Sequence, residues 1–259
     1  MNAILTNKFF PLSSRYDEQW VRKNSLGENV LYNLESLCDV LELKPGMKVL
    51  DLGCGKAVSA IFLAKEFGVK VWAVDSVTDP TTNLKRIKEL GCEESVMPLK
   101  LDARKLPFSA EFFDVIIAVD SFMYYGTDFE FTNYIAGFLK SGGQIGMVDI
   151  CFGREDLTKT SNNGNDLINH ENANFVHSLE WWRNLWNDSG IIDVKISEIV
   201  PENELIKKEY IKDYKYSGKP DILAEELERD EDNKLNIFRM TGEKKKTGTD
   251  NLFYSKLFF

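Results

Sequence analysis

A glycine pair at the end of one apolar run, with aspartates closing the runs around it, carries the residue types in this sequence that could do chemistry. "KVLDLGCGKAVSAIFLA", Lys48 to Ala64, starts apolar, breaks at Gly53-Cys54-Gly55 and resumes in helix-forming residues. Glycines there remove the Cβ atoms that would keep a ligand off the backbone, and the following helix offers unpaired N–H groups. Asp75 closes the next run, "VKVWAVD", and Asp102 follows "PLKL". An acid on a strand tip beside a glycine turn can accept hydrogen bonds from a ribose diol, and a second acid on the neighbouring tip can meet an adenine amine. No cluster of Arg or Lys occupies the turn, so the expected ligand is a nucleoside without phosphates. A dinucleotide fingerprint would read G-x-G-x-x-G/A, yet Val58 stands where its last small residue belongs, and the chain has no Tyr-x-x-x-Lys pair. A nicotinamide dehydrogenase is therefore the weaker reading.

These residues need a scaffold that brings several strand ends together. "NVLYNLESLCDVLEL" spaces Val30, Leu34, Leu37 and Leu41 as one helical face, and Pro45-Gly46 ends it. Strands are expected at 48–52, 69–75, 112–120 and 144–150, with a short one in "SVMPLKLDA" interrupted by Pro98. Helices are expected at 58–67, 84–90 and 131–139, and a turn at Ser141-Gly142-Gly143. Strands alternating with helices imply a parallel sheet with right-handed crossovers and both faces covered. Beyond Ile150 a polar, Asn-rich stretch predicts a lid over about 151–178. A helix follows in "SLEWWRNLWNDSG", capped by Ser178 and ended by Gly190. "IIDVKISEIV" is a sixth strand, 222–227 part of a helix, and "KLNIFRMTGE" a seventh strand. The expectation is a single domain over 1–259 with an N-terminal helical cap over about 1–44.

Composition narrows the partners. With 32 basic and 41 acidic residues the formal net charge is −9, which disfavours nucleic acid, and Lys244-Lys245-Lys246 is the only dense basic run. No apolar stretch approaches a membrane span and the N-terminus is a poor secretory signal, so a cytoplasmic protein with a small-molecule substrate is expected. Cys38, Cys54, Cys92 and Cys151 show no C-x-x-C spacing; no metal site is expected, and the thiols should be buried and reduced.

Taken in order, these stretches resemble the class I methyltransferases that use S-adenosylmethionine. "VLDLGCGKA" is similar to their first motif and "VWAVD" to their second-strand acid. "LKLDARKLPFSAEFFDVIIAVDSFMYYG" is similar to their adenine-side acid and fourth strand, and "LKSGGQIGMVDI" to their turn and fifth strand. The likeness runs from Lys44 to Ile150. More loosely, the flanking segments resemble a bacterial subgroup acting on small molecules, including its closing antiparallel strand. The implied fold is a doubly wound, mostly parallel seven-stranded α/β sheet with helices on both faces, Rossmann-like. One departure is Ala57, where the family has a third glycine. A right-handed backbone there, pointing the methyl away from the ligand, is the expected arrangement; a positive φ is the alternative.

The resemblance implies that Asp51, with Gly53, Cys54 and Gly55, holds the methionine end of the cofactor. It implies Asp75 and Ser76 at the ribose and Asp102 with Ala103 at the adenine. Asp120, Ser121 and Phe122 leave the fourth strand beside the expected sulfonium, and Tyr124 and Tyr125 are candidates for placing substrate. Each has a plainer reading: Asp51 caps a turn, Asp102 caps a helix from about Arg104, Asp120 is structural, and one tyrosine packs under its loop. His170 and His177 are the only histidines. A base role for His170 competes with a solvated loop, and Trp181, Trp182 and Trp186 are read as helix-packing residues. The expected activity is methyl transfer by in-line displacement; the alternative is a catalytically silent nucleoside-binding protein of the same fold.

Overall fold

The computed structural model describes residues 8–26, 30–153, 175–218, 221–230 and 234–246. Its centre is one seven-stranded sheet in the order β3-β2-β1-β4-β5-β7-β6. The strands are β1 (Lys48–Leu52), β2 (Lys70–Asp75), β3 (Val96–Lys100), β4 (Phe113–Val119), β5 (Leu139–Phe152), β6 (Ile192–Ile199) and β7 (Leu235–Lys244). β1 to β5 are parallel, and β7 runs antiparallel between β5 and β6. The helices are α1 (Glu18–Asn24), α2 (Val30–Cys38), α3 (Val58–Phe67), α4 (Pro80–Glu89), α5 (Phe129–Gly137), α6 (Leu179–Asp188), α7 (Asn203–Ser217) and α8 (Ile222–Arg229). The expected sheet is thus the observed one. No helix among the described residues is long and apolar enough to cross a membrane.

Both faces of the sheet are covered, as neighbouring residues of β7 show. Phe238 meets the Trp182 ring of α6, while Arg239 donates to the Ser36 carbonyl of α2 at 2.5 Å. Successive residues of a strand point to opposite faces, so α6 and α2 lie on opposite sides. The central strands read as continuous apolar runs because each is buried on both faces, Val115 to Ala118 being almost fully so. Pro98 sits within β3 because β3 is an edge strand, where a missing N–H costs no ladder bond.

Four details differ from the sequence expectation. The glycines at 142 and 143 lie inside a long β5 that pairs with β4 through a register shift. α4 begins at Pro80, with Asp79 accepting from the Thr82 amide as its N-cap. α7 has no counterpart in the expected elements. Its buried positions Ile206, Lys207, Tyr210 and Asp213 mix charge with apolar residues, so no clean hydrophobic face is written there. Asp213 pairs with Arg22 of α1, both side chains largely shielded from solvent. That ion pair ties the N-terminal region to the segment between β6 and β7.

The fourth difference is Ala57. It precedes α3 with φ 63° and ψ 21°, left-handed, not right-handed as expected. Its N–H closes a tight turn on the Cys54 carbonyl at 2.8 Å, and its own carbonyl takes the first α3 hydrogen bond from Ile61 at 3.1 Å. Meeting both within three residues of the glycine pair requires the left-handed corner. The methyl is fully buried and Ala57 does not line the cavity described below, so it fills core space and leaves the ligand side open.

Left-handed alanine costs about 1–2 kcal/mol, and glycine there would recover that while losing a buried methyl worth about 0.8 kcal/mol and some unfolded-chain entropy. Ala57→Gly is therefore expected to change stability by less than about 0.5 kcal/mol. Ala60→Gly, in the interior of α3 and equally buried, should cost about 1.5 kcal/mol. Urea denaturation of the two variants checks this, and equal losses would contradict the strained corner.

Candidate functional site

A cavity of about 480 Å³ opens where β1 to β4 end. Gly53-Cys54-Gly55 forms one wall. Asp75 to Val77 follow β2, Asp102 to Arg104 follow β3, and Asp120, Ser121, Tyr124 and Tyr125 follow β4; Asn24 to Leu26 and Val30 close the opposite side.

The glycines are required by what packs on them. A Cβ on Gly53 would lie 2.5 Å from the Ser121 Cβ and 3.0 Å from the Tyr125 hydroxyl, and one on Gly55 would lie 2.9 Å from Leu26 Cδ1. Both glycines have positive φ, 80° and 50°. The turn therefore lets the β4 exit loop and the N-terminal segment approach the backbone closely. Ser121 Oγ and Tyr125 Oη lie 2.7 and 2.9 Å from the Leu52 carbonyl, so the β4 loop is pinned to the end of β1.

The N-terminal segment is stapled to the same turn. Lys56 donates to the carbonyls of Lys23 and Ser25, each at 3.0 Å. Arg86 of α4 donates to Asn24 Oδ1 at 2.8 Å and to Asn83 Oδ1 at 2.9 Å, and Asn83 Nδ2 donates to the Gly55 carbonyl at 2.9 Å. None of Lys56, Asn83 and Arg86 carries a local signal; their role exists only once α4 is packed beside the turn.

The acids differ in their work. Asp75 Oδ2 accepts from the Gly55 amide at 3.1 Å, and Oδ1 from the amides of Val77 and Thr78 at 2.8 and 2.6 Å. It faces the cavity and organises two of its walls. Ser76 and Ala103 line the cavity as well. Asp102 accepts from the Arg104 amide at 2.9 Å, closing a turn where a helix was the plainer reading, and Arg104 reaches the Tyr124 carbonyl at 3.2 Å across the mouth. Asp120 has φ 48° at the end of β4, and both its oxygens accept from Asn33 of α2. Asp51 is almost fully buried and accepts from Ser59 Oγ at 2.6 Å. Ser59 lines the cavity and Asp51 does not, so Asp51 stands behind the wall.

Burial pushes the Asp51 carboxyl up to about 7; the Ser59 hydrogen bond opposes this and the Asp75 charge adds to it. Burial likewise raises the Cys54 thiol and the Tyr125 phenol well above their ordinary values. Tyr125 therefore keeps its proton at neutral pH and acts as a fixed hydroxyl, while Tyr124 is half-exposed at the mouth. His177 stacks on Trp181 with ring centroids 3.6 Å apart and does not line the cavity. Trp182 and Trp186 are fully buried against Phe122, as packing residues. His170 and most of the expected lid lie outside the described residues. All four cysteines are buried and free.

Residues 49–143 match the methyltransferase domain family, and this span covers the glycine turn and all the strand-tip acids. That segment, from β1 into β5, is similar to a methyltransferase domain. The cofactor of that family is S-adenosylmethionine. Methyltransferase GfsG of Streptomyces halstedii is 31% identical over 117 residues, 45% of this chain and 42% of that protein. The chain spans only about a quarter to two fifths of the length of such curated relatives. Among solved structures, the [4+2]-cyclase SpnF superposes with a TM-score of 0.71 at 14% identity, covering 93% of this chain and 98% of that one. Phosphoethanolamine N-methyltransferase 2 of Haemonchus contortus, in complex with S-adenosyl-L-methionine, gives 0.68 at 20% identity, covering 94% and 59%. At these identities the structures show a shared fold.

The buried Asp51 carboxyl makes stability depend on pH. Folding raises the Asp51 value from 3.8 to about 7, so the stability it confers is complete below about pH 4 and is lost as pH rises through about 7. Asp51→Asn should flatten the fall in urea midpoint between pH 5 and 8. An identical pH profile in the variant would place the ionised carboxylate in a solvated site.

Proposed function

We propose that the protein transfers the methyl group of S-adenosylmethionine to a small-molecule acceptor by in-line displacement. The observation that carries this is the cavity across four strand ends, with its glycine wall, its acids after β2, β3 and β4, and a volume within the roughly 300–1,000 Å³ usual for small-molecule sites. The described residues fit the cofactor. Asp75 is the ribose acceptor, Ala103 and Asp102 border the adenine, and Gly53, Cys54 and Gly55 take the methionine end, with Asp51 acting from behind the wall through Ser59. A carboxylate accepts about four hydrogen bonds, and Asp75 already holds three amides. Two ribose hydroxyls therefore need one of those amides to yield, which makes cofactor binding and the shape of the glycine turn interdependent.

When bound, the cofactor supplies a methyl on a sulfonium: the acceptor's electron pair forms the new bond to carbon while the carbon–sulfur pair stays on sulfur, leaving S-adenosylhomocysteine. The protein's share is alignment and exclusion of water. Tyr125 and Ser121 hold the β4 loop, Tyr124 and Arg104 border the mouth, and Asp120 faces the cavity. Burial holds the Tyr125 hydroxyl protonated, and the protein's main share is alignment, so the acceptor is expected to be nucleophilic in its own right. A small acceptor is supported by the net charge of −9 and by structural relatives such as the phosphoethanolamine enzyme. The same fold carries a [4+2]-cyclase, SpnF, matched over nearly its whole length, so the second reading is a nucleoside-binding protein of this fold that does not transfer methyl.

Calorimetric titration should give binding of S-adenosylmethionine and S-adenosylhomocysteine and none of NAD. Binding of NAD alone would overturn the proposal. Binding without passage of labelled methyl to any member of a metabolite panel would favour the second reading. Asp75→Ala should weaken both adenosyl ligands by about 1.5–3 kcal/mol, and an unaltered Kd in a folded variant would remove Asp75 from the site.

A further inference from the structure

The N-terminal helix α2 brings one polar side chain to the cavity wall from a position that packing would fill with an aliphatic residue. Leu31, Leu34 and Leu37 of the same helix are fully buried, and Asn33 between them is 1% exposed. Its Nδ2 donates to both oxygens of Asp120, at 2.9 and 3.2 Å, across 87 residues of chain. The amide cannot be turned over, since Oδ1 would then face the carboxylate, acceptor against acceptor. In the orientation it holds, Oδ1 is buried and has no hydrogen-bond partner among the described residues. Leaving a buried acceptor unpaired is costly and calls for an explanation. Asp120 carries a cost of its own, a left-handed φ of 48° at the end of β4. Val30, one turn before Asn33 on α2, lines the cavity with Asp120.

We propose that Asn33 is a positioning residue: it fixes the Asp120 carboxylate at the cavity wall so that the site favours a cationic occupant, the sulfonium of S-adenosylmethionine, over its neutral thioether product. The inference rests on the function proposed above. α2 is a firm mount for this task. Glu35 accepts from the backbone amides of Leu12 and Ser13 at 2.9 and 2.7 Å, Ser36 Oγ donates to the Asn33 carbonyl at 2.8 Å, and Arg239 holds the Ser36 carbonyl. The charges lining the cavity are the carboxylates Asp75, Asp102 and Asp120 against Lys56 and Arg104, and those two cations are drawn to backbone carbonyls of the rim. The balance at the wall is negative, and Asn33 grips the carboxylate of its β4 member.

The test is a pair of dissociation constants, for S-adenosylmethionine and S-adenosylhomocysteine, in the wild type, Asn33→Ala, Asn33→Leu and Asp120→Asn. Asn33→Leu keeps the volume and suits its leucine neighbours, so it preserves the fold if alanine does not. The preference for the cation over the thioether should fall about fivefold or more in all three variants, the scale of one charge-assisted hydrogen bond. Equal weakening of both ligands, or no change in either, would make Asn33 a packing residue and overturn this inference alone. A wild type that binds neither ligand overturns the proposed function and this inference with it.

Discussion

The backbone between Leu52 and Val58 has to cross the end of the sheet in five residues and enter a helix, and it does so with three left-handed corners, Gly53, Gly55 and Ala57. The walls after β2 and β4, and the α4 side, are fastened to that crossing. The Leu52 carbonyl holds Ser121 and Tyr125, the Gly55 amide is held by Asp75, and the Gly55 carbonyl is held by Asn83. Close approach replaces side chains as the means of attachment. A methyl on either glycine would displace the β4 loop or the N-terminal segment before it touched any ligand.

The second constraint is that one side of the cavity comes from outside the parallel core. Asn24 to Leu26 belong to the exit of α1 and Val30 to α2, and both are held by polar contacts that span the chain: Lys56 to the Lys23 and Ser25 carbonyls, Arg86 to Asn24, Glu35 to the segment before α1, and Arg22 to Asp213. Hydrogen bonds and ion pairs of this kind contribute modestly to stability but are directional, which suits a wall that has to sit at a defined distance from the glycine turn. The same economy applies to two of the acids: buried Asp51 accepts from Ser59 behind the wall, and Asp120, which lines the cavity, is gripped by Asn33.

The parallel half of the fold was legible because burial on both faces writes itself as unbroken apolar runs, and the runs end in the acids that mark the strand tips. α7 was not legible, because its inner face is closed by charge: Lys207 lies against Asp230 and Asp213 against Arg22, and no apolar period results. At the site, glycines and strand-tip acids could be read one by one. Asn33, Lys56, Asn83 and Arg86 could not, since each acts on a residue at least 28 positions away and has nothing in its own neighbourhood to mark it. Ala57 was misread because the sequence specifies the residue but not the corner it occupies, and the corner follows from two backbone hydrogen bonds that only the assembled turn reveals.

The central claim is that the glycine turn and the acids after β2 and β4 form one adenosyl-sulfur site. A crystal structure of the protein with S-adenosylhomocysteine tests it most directly. The account predicts the ribose hydroxyls on Asp75, with one of its three amide bonds lengthened, and the sulfur between the Gly53–Gly55 wall and Asp120. A ligand seated elsewhere, or in this cavity with its ribose away from Asp75, would contradict it.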